Sequence, residues 1–211
     1  MASVEDWVGL LKIREDKLSK IKYETVQQKY VLFLASRVSE LCLDAVILLN
    51  NQRVSGVPVI LRTALESYAD FLACIKESEH TKEMTDSLYW QLHELHKETD
   101  KEKSDYYKNK GKYSSVKKRF NKAGLQELFN GYYKELSLHS HGNLSALIEF
   151  HSKDNSVYLG SLSDDEKLLM FFDQAINFLA LILKDTFEFF KLPKSDLLEP
   201  QRVLDSINKN S

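Results

Sequence analysis

Glycine and proline are scarce in this chain, with seven and three among 211 residues. Together they make up roughly 5% of the sequence, where average usage gives about 12%. So few turn-forming residues exclude an all-β sandwich or barrel. Hydrophobic residues at 43% and charged residues at 28% exclude disordered and collagen-like classes. The composition predicts one all-α globular protein.

Cysteine and long apolar runs are also lacking. Cys42 and Cys74 lie in apolar helical contexts, without the spacing of a metal site, and are predicted to be buried thiols of a reducing compartment. The most apolar stretch, Leu168–Leu183, is interrupted by polar residues and is shorter than the ~20 residues of a membrane span. The first eleven residues do not resemble a signal peptide. We expect a cytoplasmic protein without membrane contact.

Apolar residues at spacings of three and four predict the first half of a helical bundle. A long helix is expected from Glu24 to Asn50, and a second from Pro58 to Glu79, since proline is tolerated in a first helical turn. A third, more polar helix is expected from Thr81 to Lys101. The apolar stripe of the first helix consists of Val31, Leu34, Val38, Leu41, Ala45 and Leu48.

Shorter elements are predicted in the middle of the chain. A short helix from Ala123 to Asn130 is expected to stop at Gly131, and another from Tyr132 to His141 to end at Gly142-Asn143. Residues 148–160 are rich in turn formers and are compatible with a short irregular strand.

The last long helix has a clear start signal. Ser163 and the acids that follow it form a capping box, and the helix is expected to continue to Lys191, before Pro193. Because it is apolar nearly all round, it is predicted to be central in the bundle or shared with a second subunit. The prediction is therefore a single domain over residues 1–194, of about five to seven helices, with a tail at 195–211 that adds one weak helical turn.

The segment 101–122 differs sharply from the rest of the chain, with nine basic and two acidic side chains although the whole protein carries a net charge of −2. Tyrosines are interleaved with these charges, and basic side chains among aromatics suit a phosphate backbone and stacked bases. We predict an inserted basic loop that binds RNA, and a solvated lysine-rich loop is the alternative. The candidate RNA-binding residues are Lys108, Lys110, Lys112, Lys117, Lys118 and Arg119.

Tyr133, Ser137 and His141 recur every four residues and form one stripe on a helix. At the carboxyl end of that helix, the dipole favours a protonated His141, which can bind or protonate a phosphate oxygen. The alternative is a histidine that only caps its own helix.

Arg62 and Glu66 form an i, i+4 pair on the second predicted helix. A lone arginine in an apolar stretch is a natural partner for a carboxylate or a phosphate, and a surface ion pair is the alternative. His93 and His96 give only a weak metal signal, and no glycine-rich phosphate loop is present. The sequence therefore predicts no metal and no cofactor.

Arg62-Thr-x-x-Glu66 followed by Leu136-Ser137-x-x-x-His141 resembles an uncharacterised bacterial family of all-helical proteins. More distantly, residues 31–191 resemble the HEPN superfamily. That resemblance implies a dimerising helical bundle that often acts as a metal-independent ribonuclease in toxin or anti-phage systems. An arginine and a histidine act there at the dimer interface, and the RNA 2′-hydroxyl attacks the neighbouring phosphate.

The HEPN pattern places its arginine four to six residues before the histidine, where this chain has Ser137, Leu136 and Glu135. We expect Arg62 to supply the guanidinium instead, with Glu66 holding it beside Tyr133, Ser137 and His141. The predicted function is an RNA-binding protein or a metal-independent endoribonuclease of a toxin or defence system, acting as a homo-oligomer or with a protein partner. The alternative is a non-catalytic interaction or scaffold module in which the same side chains form a structural cluster.

Overall fold

A computed structural model describes residues 2–140, 143–158, 160, 162 and 165–209. The helices, in chain order, are α1 (Val4–Asp16), α2 (Val26–Asn50), α3 (Val57–Lys76), α4 (His80–His96), α5 (Lys101–Lys108), α6 (Val116–Ala123), α7 (Gln126–Leu128), α8 (Lys134–Leu138), α9 (Leu144–His151), α10 (Asp165–Phe189) and α11 (Lys194–Asn208). Two short strands, β1 (Ser152–Lys153) and β2 (Ser156–Val157), form an antiparallel hairpin. The prediction of an all-α protein is confirmed, since helices make up nearly all the regular structure of the described residues.

Helices α2 and α3 form an antiparallel pair at the centre of the bundle. The predicted apolar stripe of α2 faces inward, with Val31, Val38 and Ala45 fully buried. Thr25 caps the start of α2: its side chain accepts a hydrogen bond from the Gln28 N–H in a capping box. Pro58 lies in the first turn of α3, as the sequence predicted.

Helix α10 packs against α1, α2, α3 and α11, so the predicted central position of this helix is confirmed. The predicted Ser163 capping box lies outside the described residues. Cys42 and Cys74 are both buried and free, as expected. Burial raises the pKa of the Cys74 thiol to about 12 and, for the same reason, raises the pKa of Cys42.

The carboxyl-terminal segment is more ordered than the sequence predicted. The expectation of one weak turn is wrong, because α11 has 15 residues and packs on α1 and α10. Val203 is completely buried against this core. Arg202 also pairs with Asp6 of α1 at 2.8 Å, so contacts distant in sequence stabilise the helix.

The basic segment is largely helical rather than a loop. It forms α5 and α6, which are joined by residues 111–115 without regular secondary structure. This connection lies directly on α4, because the Lys112 N–H donates to the Asp86 carbonyl at 3.0 Å. A Cβ at Gly111 would lie 2.4 Å from the backbone nitrogen of Trp90. Gly111 therefore permits a close approach that a side chain would block.

The predicted helix Ala123–Asn130 is wrong in its boundaries. Gly124, with φ of +77°, ends α6, whereas the helical chain continues through Gly131 in a π-helical turn at Phe129–Tyr133. The following helix, expected to reach His141, ends at Leu138. Residues 148–160, expected to be turn-rich, contain the end of α9 and the β hairpin. Within the described residues, no helix has the length and apolar character needed to cross a membrane.

Candidate functional site

Four of the five residues predicted to form one site meet between α3 and the segment 133–137, which leads into α8. The Arg62 guanidinium donates from Nε to the Ser137 hydroxyl at 3.0 Å and from Nη2 to the Tyr133 hydroxyl at 2.7 Å. The same Nη2 pairs with Glu66 Oε1 at 3.0 Å. Arg62 and Glu66 each expose about a fifth of the side chain (22%), so the contact lies at the edge of the core.

Helical periodicity brings these side chains together. Arg62 and Glu66 are four residues apart on α3, and Tyr133 and Ser137 are four apart on the facing segment, so each pair shares one helix face. The Arg62 guanidinium also lies 5.0 Å from the centre of the Tyr133 ring, a cation–π distance. The site therefore joins two helix faces whose chemistry is matched.

Tyr133 acts as a relay of hydrogen bonds in this contact. Its hydroxyl accepts from Arg62 and donates to Glu66 Oε1 at 2.9 Å. Burial and the hydrogen bond to Glu66 raise the pKa of the Tyr133 hydroxyl, which keeps it protonated as a donor. Phe120 and Phe129 pack on the ring at 5.1 and 5.2 Å between ring centres. The hydroxyl is thus held in one orientation.

His141, the fifth predicted residue, lies outside the described residues, as does Gly142. The chain next to them is described to Ser140, whose hydroxyl donates to the Ser137 carbonyl at 2.9 Å. The predicted role of His141 stays a prediction.

Arg119 belongs to the same cluster, although the sequence placed it among the RNA-binding residues. From α6 it reaches α3, where Nη1 lies 2.6 Å from Asp70 Oδ2 and Nη2 lies 3.3 Å from Glu66 Oε2. Burial alone would lower the pKa of this guanidinium, but Asp70 and Glu66 outweigh that effect and raise the pKa above its usual value. Arg119 therefore stays charged. No local spacing signals this contact, since Arg119 and Asp70 are 49 residues apart.

The network continues from Asp70 to α4. His80 is 1% exposed, and its Nε2 lies 3.0 Å from Asp70 Oδ1. We call this series of contacts the α3 polar network. Its members, from one end to the other, are Ser137, Tyr133, Arg62, Glu66, Arg119, Asp70 and His80. Two guanidinium groups face two carboxylates, so their charges balance. The contacts fix three other segments to α3: residues 133–137, α6 and the start of α4.

The predicted RNA-binding residues divide into two groups. Lys108, Lys110, Lys112 and Lys117 are exposed and, among the described residues, form no ion pair with a carboxylate. Lys118, in contrast, lies 3.6 Å from Glu83. Arg119 is held by Asp70 and Glu66, so four of the six cations have no carboxylate partner among the described residues. One of these four, Lys110, donates a hydrogen bond to the Tyr106 hydroxyl at 2.6 Å.

An aromatic surface accompanies these lysines. Tyr106 is 53% exposed, and the Lys110 ammonium lies 4.3 Å from the centre of its ring. Tyr107 stacks between Tyr89 and His96, at 6.1 and 5.8 Å between ring centres. We call this set, with Lys108 and Lys110, the α4–α5 aromatic surface. Two packed helices therefore present exposed and stacked rings beside lysines that pair with no carboxylate among the described residues.

The weak histidine signal has a structural explanation. His93 is buried, and its Nδ1 lies 2.8 Å from the Ser104 hydroxyl on α5. His96 belongs to the aromatic stack. Across the part of the chain that the structure describes, no group of three or more metal-binding side chains comes together.

Comparison with known proteins gives one match. A protein family of unknown function, DUF5677, is similar to this chain over residues 76–158. The matched stretch is under half of the chain and contains Arg119, Tyr133 and Ser137 but neither Arg62 nor Glu66. No curated protein and no solved structure matches the sequence.

Proposed function

We propose that the protein is an RNA-binding helical module that contacts single-stranded RNA through the α4–α5 aromatic surface. The observation that carries this proposal is the exposed Tyr106 ring beside Lys110, next to other lysines that have no carboxylate partner among the described residues. Exposed rings stack on bases of any sequence, and lysines neutralise the backbone. Because the whole chain carries a net charge of −2, its overall charge does not attract RNA, and the proposed binding depends on this one surface.

The same proposal assigns a structural role to the Arg62 cluster. An arginine that stabilises a reacting phosphate needs donors directed at the substrate. Here, Nε and Nη2 of Arg62 donate to Ser137, Tyr133 and Glu66, and the second oxygen of Glu66 holds Arg119. These internal partners favour a cluster that joins helices, the alternative that the sequence left open.

The test is a binding titration of fluorescent single-stranded RNA, followed by anisotropy at several salt concentrations. The variant Tyr106→Ala/Lys108→Ala/Lys110→Ala removes one exposed ring and two lysines that have no carboxylate partner among the described residues. We expect about tenfold weaker binding or more, because stacking on one ring contributes ~1–3 kcal/mol. The salt slope falls by about 1.4 if both lysines contact phosphates.

The chain offers a matched control. Lys20→Ala/Lys22→Ala/Tyr23→Ala also removes two exposed lysines and one exposed tyrosine, from the connection after α1. We expect this variant to bind RNA like the wild type. Equal losses in both variants, or no RNA binding by the wild type at low salt, would contradict the proposal.

A metal-independent, HEPN-like ribonuclease that dimerises within a toxin or defence system is the second candidate. The observation that favours it is the Arg62–Ser137 hydrogen bond of 3.0 Å, since Ser137 precedes His141 by only four residues. Wild type and His141→Ala are incubated with total RNA in the presence of EDTA. Cleavage by the wild type alone, leaving a cyclic phosphate, would support this candidate over the non-catalytic module.

A further inference from the structure

Tyr113, in the connection between α5 and α6, is a second exposed ring near the α4–α5 aromatic surface. It is 66% exposed, the largest fraction among the aromatic side chains of the described residues. Its ring contacts the edge of the Trp90 ring on α4, at 6.5 Å between ring centres. Trp90 is partly buried and also contacts the buried His93, at 5.1 Å. Tyr113 is thus held along one edge, while most of its ring faces solvent.

Gly111 connects this ring to the α4–α5 aromatic surface. Its backbone lies so close to α4 that a Cβ would be 2.4 Å from the backbone nitrogen of Trp90. One residue earlier, the Lys110 ammonium lies 5.9 Å from the centre of the Tyr89 ring, and two residues later Tyr113 contacts Trp90. Tyr89 and Trp90 are neighbours on α4 and project about 100° apart around the helix. The chain therefore crosses α4 between two sets of rings, and Gly111 places no side chain between them.

Lysines accompany Tyr113, as they accompany Tyr106. Lys112 and Lys117 are exposed, and among the described residues neither forms an ion pair with a carboxylate. Lys112 lines a cavity of about 210 Å³ next to Tyr113, in which carboxylates and lysines are equal in number, whereas Lys117 does not line it. The charged residues of this lining are Glu79, Glu83, Asp86, Lys82, Lys112 and Lys118. The surroundings of Tyr113 therefore carry no excess of negative charge that would repel a phosphate backbone.

We infer that a single-stranded RNA bound at the α4–α5 aromatic surface continues across Gly111 and stacks another base on Tyr113. This inference rests on the proposed function. A helix with its side chains is about 10–12 Å wide and stacked nucleotides lie ~3.4 Å apart, so a strand that reaches rings on two sides of α4 has about four or more nucleotides. The bases of a duplex are paired and stacked on each other and do not reach these rings.

Paired substitutions test the second contact in anisotropy titrations with a fluorescent dodecauridine. Lys112→Ala/Tyr113→Ala is expected to bind at least about fivefold more weakly than the wild type, which is the lower end of the contribution of one stacked base. Lys22→Ala/Tyr23→Ala is the matched control, because it also removes an exposed lysine and the exposed tyrosine that follows it. We expect this control, and Tyr113→Phe, which keeps the ring, to bind like the wild type.

The length of the strand separates the second contact from damage to the first. Unlabelled oligouridines of three to twelve nucleotides compete with the labelled strand. Lys112→Ala/Tyr113→Ala is expected to bind the trinucleotide within about twofold of the wild type and to lose affinity only for longer strands. Tyr113→Ala is expected to bind a twelve-base-pair RNA duplex like the wild type, because paired bases do not reach the ring. An equal loss for short and long strands, or for single strand and duplex, overturns the inference.

Trp90 gives a direct readout of a base on Tyr113. The chain has two tryptophans, so Trp7→Phe leaves Trp90 as the only one. A base stacked on Tyr113 lies beside the Trp90 ring, so we expect bound dodecauridine to quench its fluorescence. Little quenching is expected when Lys112→Ala/Tyr113→Ala is added to Trp7→Phe. Unchanged Trp90 fluorescence at saturating RNA overturns the inference.

The outcomes distinguish this inference from the proposed function. If Tyr106→Ala/Lys108→Ala/Lys110→Ala weakens binding and Lys112→Ala/Tyr113→Ala does not, the second contact is overturned and the first stands. A loss with Lys112→Ala/Tyr113→Ala alone overturns the continuous path, because the strand would then bind Tyr113 without the first surface. If the wild type binds no single-stranded RNA at low salt, both proposals are overturned.

Discussion

Replacement of Arg119 by methionine tests whether the α3 polar network stabilises the fold. Methionine keeps most of the aliphatic stem and removes the guanidinium that bridges Asp70 at 2.6 Å and Glu66 at 3.3 Å. The Asp70 side chain is only 9% exposed, so water does not replace the lost partner well. Two carboxylates would then lie close to each other on α3 without a shared cation.

The size of the effect follows from this burial. Loss of one partner of a fully buried ion pair costs ~3–5 kcal/mol. The Arg119 side chain is 21% exposed, so we expect a smaller loss of about 2–3 kcal/mol in the free energy of unfolding. For a chain of this length, that loss lowers Tm by about 4–12 °C.

Urea unfolding followed by circular dichroism measures the change. Lys117→Met is the matched control, because Lys117 lies two residues earlier, is exposed, and forms no ion pair among the described residues. It is expected to change stability by less than about 0.5 kcal/mol. A loss in Arg119→Met as small as in the control would refute the structural role of the network, and with it the argument that Arg119 is unavailable to RNA.

Two further predictions concern single positions. Gly111→Ala is expected to lower Tm by several degrees, because its Cβ would lie 2.4 Å from the backbone nitrogen of Trp90. Gly131→Ala is the control and is not expected to be destabilising, because no atom lies within 4 Å of its Cβ. Equal thermal midpoints of the two variants would contradict this prediction. Burial raises the pKa of Asp185, which accepts from the Tyr68 hydroxyl at 2.6 Å, so its ionisation costs stability as the pH rises from 3.8. Asp185→Asn is therefore expected to gain stability relative to wild type as urea unfolding is repeated from acidic to neutral pH, and a constant difference would contradict the raised pKa.

The long helices follow from the sequence because their signals are local. The α2 stripe from Val31 to Leu48 repeats at helical spacing for several turns, and its residues are buried or packed on the core. The meeting of Arg62 and Glu66 with Tyr133 and Ser137 was also expected. Each pair needs only an i, i+4 relation on its own helix, and the two pairs are chemically complementary.

Features that depend on distant contacts did not follow from the sequence. Helix α11 has a weak local pattern and is stabilised by burial of Val203 and by the Arg202–Asp6 ion pair. Gly131 looks like a stop signal, but its neighbours pack so that helical structure continues through it. Glycine can adopt the left-handed conformation that ends a helix, but it can also continue the helix, and tertiary contacts decide which of these occurs.

The basic segment shows why a charge count overstates what a surface offers to RNA. The sequence does not distinguish its cations from one another. In the structure, Arg119 and Lys118 face carboxylates of other helices, whereas Lys108 and Lys110 are exposed and Lys110 bonds only the nearby Tyr106 hydroxyl. A cation already paired at 2.6 Å must give up that contact before it can bind phosphate, so its net contribution to RNA affinity is small. RNA binding through Lys108 and Lys110 and stability through Arg119 should therefore be separable. Tyr106→Ala/Lys108→Ala/Lys110→Ala is expected to lose RNA affinity and keep the Tm of the wild type. Arg119→Met is expected to have a lower Tm, while its folded form still binds RNA.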